Sequence, residues 1–176
     1  MDKLLEYFIK KPQKEFHVRE LAGLIKKSPT TVSKQLKRLE KENILSSNKK
    51  LNHLFFRADL ESQSFKDRKF FYNISRIRKS KLIDYLVEEF NNPEAIILFG
   101  SYAKAEDIEI SDIDIMIITP VKKEINLAKY EDFLEHKIHI FLNSNKEIDE
   151  LKIKNKELLN SFVNGIVING FWEIFK

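Results

Sequence analysis

The run Glu94-Ala95-Ile96-Ile97-Leu98-Phe99-Gly100-Ser101, followed after nine residues by Ser111-Asp112-Ile113-Asp114-Ile115-Met116-Ile117-Ile118, carries the reading of the fold. Both are short apolar runs bounded by polar residues, the pattern of strands buried in a sheet. The chain has only four glycines in 176 residues, so one at the end of a strand and beside a hydroxyl is informative. Glycine there lets backbone amides and the Ser101 hydroxyl approach a phosphate closely. Side chains alternate along a strand, so Asp112 and Asp114 project to one face. Two carboxylates so placed can hold magnesium, which keeps water and takes its remaining ligands from nucleotide phosphates. With two metals the pair steadies both the attacking and the leaving oxygen of an in-line displacement. Either feature alone is ordinary: aspartates on the wet side of a strand, a Gly-Ser turn. Their coincidence at this interval points to phosphate chemistry.

Gly100-Ser101-Tyr102-Ala103-Lys104 followed by Ser111-Asp112-Ile113-Asp114 resembles the polymerase-β-type nucleotidyltransferase superfamily, over about residues 80–170. The likeness is strongest to its minimal nucleotidyltransferases, of the kind found as antitoxins and in archaeal winged-helix fusions. The resemblance implies that Gly100 and Ser101, with Lys104 and Ser111 near them, hold a nucleoside triphosphate, ATP by preference. It implies that Asp112 and Asp114 bind the catalytic Mg2+, with Mn2+ as the alternative, and that a nucleoside monophosphate passes to a hydroxyl. A HEPN-type toxin is the protein acceptor it suggests. Two departures stand against full activity. The second glycine of the family pattern, five residues after the first, is Ala105, which is poorly suited to a positive φ. The third carboxylate of the following strand, Lys137-Ile138-His139-Ile140-Phe141-Leu142, is replaced by His139, and magnesium prefers oxygen ligands. Two readings therefore stay open: a nucleotidyltransferase, or a DNA-binding regulator whose inactive nucleotidyltransferase-like domain senses nucleotide or mediates assembly. His136 and His139, three apart and without any cysteine, make a poor zinc pair.

Upstream, residues 64–91 contain no Gly or Pro and read as one or two helices ending at Asn91-Asn92-Pro93. The aromatic run Phe70-Phe71-Tyr72 reads as packing surface. Earlier still, Leu4, Leu5, Phe8 and Ile9 form one helical stripe, and Val18, Leu21, Ala22 and Ile25 a second. Ser28-Pro29 is a cap followed by a proline at the first helical position. It opens a third helix whose stripe is Val32, Leu36 and Leu39. Ile44–Ser47 and His53–Arg57 read as two strands, with Asn48-Lys49-Lys50 as a basic turn between them. Three helices and a basic hairpin resemble the winged helix-turn-helix family, which implies double-stranded DNA as partner. Thr30, Lys34, Gln35, Lys37 and Arg38 on the third helix, and Lys49 and Lys50 at the wing, are then the candidate contacts. A homodimer is expected by the same analogy.

Charge supports two modules. Residues 1–57 hold 14 Lys or Arg against 6 Asp or Glu, whereas residues 94–176 hold 10 against 15. A basic first third suits a polyanion. No apolar run reaches the ~20 residues of a membrane span, the start lacks a secretory pattern, and cysteine is absent; a cytoplasmic protein is the default expectation. The expected architecture is two-domain: a winged helix over 1–60, a helical connector over 61–93, and a small mixed β-sheet packed with helices over 94–176. Within the last, residues 146–164 read as one helix, 165–170 as a closing strand, and Phe171, Trp172 and Phe175 as core.

Overall fold

The computed structural model describes residues 3–51 and 53–174. The chain divides into two compact units, one ending at Lys69 and the other beginning at Phe70. No helix among the described residues is long and apolar enough to cross a membrane.

In the first unit, helix α1 (Lys3–Lys10) is followed by a two-residue strand β1 (Phe16–His17), helices α2 (Val18–Ile25) and α3 (Pro29–Lys41), and strands β2 (Leu45–Lys50) and β3 (His53–Ala58). Helix α3 starts as its sequence dictates: Ser28 Oγ accepts the Thr31 amide at 3.2 Å, and Pro29 fills the first helical position. Helix α2 has a cap the sequence did not announce. His17 Nδ1 accepts the Arg19 amide at 3.3 Å, and Glu20 reaches back to the His17 amide at 3.4 Å. The apolar stripes bury Leu4, Leu5, Phe8, Leu21, Val32 and Leu36. Strand β1 also went unforeseen, being too short to show a period; it pairs antiparallel to β3, giving the order β1-β3-β2. Asn48, Lys49 and Lys50 do not form the turn. They continue β2, with Lys50 opposite His53, so the chain reverses only after Lys50; Asn52 lies outside the described residues.

Helix α4 (Gln63–Ser80) runs across the division between the units. The second unit continues with α5 (Leu82–Glu89), β4 (Ala95–Phe99), a single turn α6 (Gly100–Ala103), β5 (Ile113–Ile118), α7 (Ala128–Leu134), β6 (Ile138–Asn143), α8 (Asn145–Lys154), α9 (Lys156–Val163) and β7 (Ile166–Gly170). Its sheet has the order β6-β5-β4-β7, with β5 and β6 parallel and the other pairs antiparallel. Strand β4 is buried on both faces, which is why it reads as an unbroken apolar run. Ile96 and Leu98, with Ile113, Ile115 and Ile117, pack on Ile77, Leu82, Leu86 and Phe90 from α4 and α5. Ala95, Ile97 and Phe99, with Met116 and Ile118, pack on Ile148, Leu159 and Phe162 from α8 and α9. Each large side chain so buried stabilises the unit by about 1.5–3 kcal/mol.

Three further expectations change. The segment over 61–93 forms no separate connector, because from residue 70 onward its apolar stripe belongs to the core of the second unit; periodicity alone does not tell a docked helix from a linking one. The helix expected over 146–164 is broken at Asn155, whose φ of −149° leaves the helical region and whose Oδ1 accepts the Leu158 amide at 3.0 Å. Phe171 is 68% exposed, not core, whereas Trp172 is partly buried; Phe175 lies outside the described residues.

Ala105, buried just after α6, has a φ of +57°. The loop therefore keeps the geometry that a glycine would favour, at a cost of about 1–2 kcal/mol for a side chain in the left-handed region. Ala105→Gly is expected to change stability by less than ~1 kcal/mol, since relief of strain is offset by a more flexible unfolded chain. Ala105→Val, β-branched and without room, is expected to lose more than about 2 kcal/mol in urea denaturation. Equal stability of the valine variant and the parent would show that the loop carries no such constraint.

Candidate functional site

The site grows from the register of three strands. Phe99, the last residue of β4, stands opposite Asp114 of β5, and Asp114 stands beside His139 of β6. Alternation puts Asp114, Met116 and Ile118 on one face, with His139 and Phe141 on the neighbouring strand. The lower part of that face is roofed by α8 and α9; the aspartates lie at the end the roof leaves open. Asp112 precedes the first residue of β5, so the strand begins later than the sequence suggested, yet the two carboxylates still share one side. His139 Nδ1 is 3.9 Å from Asp112 Oδ2 and 3.8 Å from Asp114 Oδ1.

Gly100 is required here for two reasons. Its φ is +74°, and a Cβ at this position would lie 2.5 Å from Asp114 Oδ2. The chain leaves β4 directly over the Asp114 carboxylate, which only a residue without a side chain permits. The turn of α6 then carries Ser101, half-buried, and Lys104, exposed. Glu106 N donates to Ser101 O at 2.9 Å and closes the turn.

The loop from α6 to β5 is tied down at both ends. Ile108 N donates to Ser111 Oγ at 2.9 Å, and Ser111 N donates to Ile108 O at 3.0 Å. His136 Nδ1 donates to Ser111 O at 2.7 Å, which requires the proton on that nitrogen. Ser111, read from sequence as a nucleotide contact, is thus engaged in building the turn. Asn73 of α4, 2% exposed, donates through Nδ2 to Tyr102 O at 3.2 Å and to Asp107 Oδ1 at 2.8 Å. Asn73 escaped the sequence reading. The signal was present, since it lies four residues before Ile77 on the buried stripe, where a polar residue needs a partner.

Neither Asp112 nor Asp114 accepts a hydrogen bond from a described side chain or amide. Burial raises the Asp114 pKa above the ordinary carboxylate value; the His139 imidazole opposes this and Asp112 adds to it by repulsion. Two carboxylates on one side of a strand can supply oxygen ligands to a divalent cation; His139 and Lys137 are the basic groups that interact with them. Among the described residues no group of three or more His, Asp or Glu side chains that could hold a metal ion is present. The β6 residue beside Asp114 is His139 and not a third carboxylate.

The candidate nucleic-acid contacts of the first unit do not share one setting. Thr30, Lys34 and Lys37 line a groove of about 560 Å³ together with Arg19 and His53. Arg38 instead pairs with Glu42 at 2.8 Å and Lys50 with Glu15 at 2.6 Å. Lys49 is exposed on β2. Gln35 does not join the exposed face: its Oε1 is buried and accepts no hydrogen bond, so its side chain is turned inward.

A small mixed sheet with a glycine-led turn over paired carboxylates defines a nucleotidyltransferase-type domain. The sequence model of the family described as Polymerase beta, Nucleotidyltransferase matches residues 80–170. This is more than half of the chain, and the chain belongs to that family. Among curated proteins no match was found.

The raised Asp114 pKa has a stability consequence. The folded state disfavours the ionised carboxylate, so this penalty is present above the folded pKa and disappears as pH falls through it. Asp114→Asn is therefore expected to unfold at a higher temperature than the parent at pH 7, with the gap narrowing on acidification toward pH 4. Calorimetry across that range checks it; an asparagine variant less stable than the parent at pH 7 would contradict the assignment.

Proposed function

We propose that the second unit binds a nucleoside triphosphate with a divalent cation and transfers the nucleoside monophosphate to a hydroxyl acceptor, while the first unit is a winged helix that binds double-stranded DNA. Membership of the nucleotidyltransferase family supports the reaction class. The observation that carries the reading is the Gly100 turn laid directly over Asp114, beside Asp112, at the open end of one sheet face.

In this reading the amides at the start of α6 and the Ser101 hydroxyl hold phosphate oxygens, and the exposed Lys104 ammonium offsets their charge. Asp112 and Asp114 hold the cation, which when bound neutralises phosphate charge and makes the acceptor hydroxyl more acidic. The acceptor oxygen attacks the α-phosphorus, the bond to the pyrophosphate oxygen breaks, and the acceptor proton leaves to solvent or to a nearby base. ATP is the substrate we assign, and a protein hydroxyl, of the HEPN-toxin kind that the resemblance implies, the acceptor. His139 in place of a carboxylate favours a second reading, in which nucleotide is bound and not turned over. Incubation with labelled ATP, Mg2+ or Mn2+ and candidate acceptors separates the two. Transfer that drops at least about 10²-fold in Asp112→Asn and Asp114→Asn supports the enzyme; binding without transfer to any acceptor supports the sensor.

The DNA reading is supported by the helix order, the capped α3, the hairpin, and the basic groove between them. Lys34 and Lys37 are the principal phosphate contacts in it, and a homodimer on a two-fold site the assembly. Affinity in a mobility-shift assay is expected to fall steeply with salt, and Lys37→Ala to weaken binding and lower the salt slope by about 1. Arg38→Ala and Lys50→Ala, whose cations are already paired with acids, are expected to do less. No retardation at low salt would remove the DNA assignment.

A further inference from the structure

We propose that the acceptor hydroxyl is presented on an extended peptide segment, which adds to the outer edge of β6 as a further strand of the sheet. The proposal rests on the nucleotidyltransferase reading and names the substrate class of that site.

Strand β6 ends the sheet order β6-β5-β4-β7, so no strand pairs with its outer side. The pairing with β5 fixes which backbone groups face outward. Ile113 N donates to Lys137 O at 2.8 Å, and Thr119 N donates to Asn143 O at 2.9 Å. Backbone direction alternates along a strand. Residues 137, 139, 141 and 143 therefore turn toward β5, while Ile138, Ile140 and Leu142 turn outward. Two side chains close the ends of this outer row. Glu131 Oε1 accepts the Ile138 amide at 3.1 Å, and Lys122 Nζ donates to Leu142 O at 2.7 Å. Both plugs are themselves held, Glu131 by Lys137 and Lys122 by Glu147. Between them, Ile138 O, Ile140 N, Ile140 O and Leu142 N bond to no described residue. Sheet edges are usually blunted. Here only the ends are, and the middle keeps the groups that one added peptide backbone satisfies.

This open stretch lies beside the acids. A residue of the added strand next to His139 directs its side chain to the face that carries His139 and Asp114. That strand stands about 4.8 Å beyond β6. A hydroxyl on it projects over the half-exposed His139 toward Asp114, whose Oδ1 is 3.8 Å from the imidazole. The hydroxyl oxygen bonds to the α-phosphorus of ATP, the bond to pyrophosphate breaks, and the hydroxyl proton passes to solvent. Charge argues against a nucleic-acid acceptor. Residues 94–176 hold 10 Lys or Arg against 15 Asp or Glu, a balance that repels phosphates.

The test incubates the full chain with labelled ATP, Mg2+ or Mn2+, and short degenerate peptides that carry one central tyrosine, serine or threonine. A second library, N-methylated on both sides of that residue, cannot form the ladder. Ile140→Pro removes the outward amide and leaves the bonds to β5 in place; Ile140→Val keeps it. The parent and Ile140→Val are expected to label the first library. N-methylation or Ile140→Pro is expected to lower labelling at least about tenfold, with calorimetric binding of inorganic triphosphate unchanged. Circular dichroism checks the fold, and if the proline variant fails to fold the methylated library decides. Equal labelling of both libraries, equal labelling by Ile140→Pro, or transfer only to glycerol or RNA would overturn the proposal alone. So would a dimer that Ile140→Pro dissociates, which assigns the edge to a second copy. If no acceptor is labelled, the enzyme reading falls as well.

Discussion

The Asp114 carboxylate occupies the place where Gly100 would carry a side chain, and the geometry of the site depends on that contact. Strands β4 and β5 are antiparallel, with Phe99 opposite Asp114, so the first residue beyond β4 must cross the aspartate. A left-handed φ and a bare Cα let it do so. The chain then enters α6 with Ser101 in its first turn, close to the acids. The rigidity comes from elsewhere. Strand β4 is sealed on both faces by helices, and the far end of the loop is held by Asn73, Ser111 and His136.

That arrangement brings two acids to one end of the sheet, with His139 and Lys137 near them. Asp114 is partly desolvated and repelled by Asp112, and its pKa rises accordingly. The fold thus tolerates an electrostatic penalty at one end of its sheet; shifted pKa values of this kind cluster at functional sites. Met116 and Ile118 continue the same face into the apolar layer under α8 and α9. One strand therefore serves both the core and the site, and the division between them lies between Asp114 and Met116.

The first unit follows a simpler logic. Its helices bury one stripe each and leave the polar face of α3 outward. The folded chain then sorts the basic residues of that face. Lys34 and Lys37 line a groove, whereas Arg38 and Lys50 are paired with Glu42 and Glu15. The net positive charge of the segment overstates the number of cations left for a polyanion.

What the residues determined by themselves were the local features: the capped start of α3, the apolar runs of β4 and β5, the glycine at their junction, and the shared side of Asp112 and Asp114. Each depends on spacing within a few residues, and the period of two along a strand holds wherever the strand sits. What the tertiary structure decided were the meetings between distant segments. Strand β1 exists only because β3 offers it an edge. Asn73 matters because α4 lays it against a loop some thirty residues away, at Tyr102 and Asp107. Ala105 keeps a left-handed φ that its side chain disfavours, because both ends of its loop are tied down. His139 acquires its place through a parallel pairing with β5, across a crossover that contains α7. Backbone periodicity is encoded locally, whereas register between strands is a property of the packed sheet. The sequence therefore shows which residues share a face and leaves to the fold which of them touch.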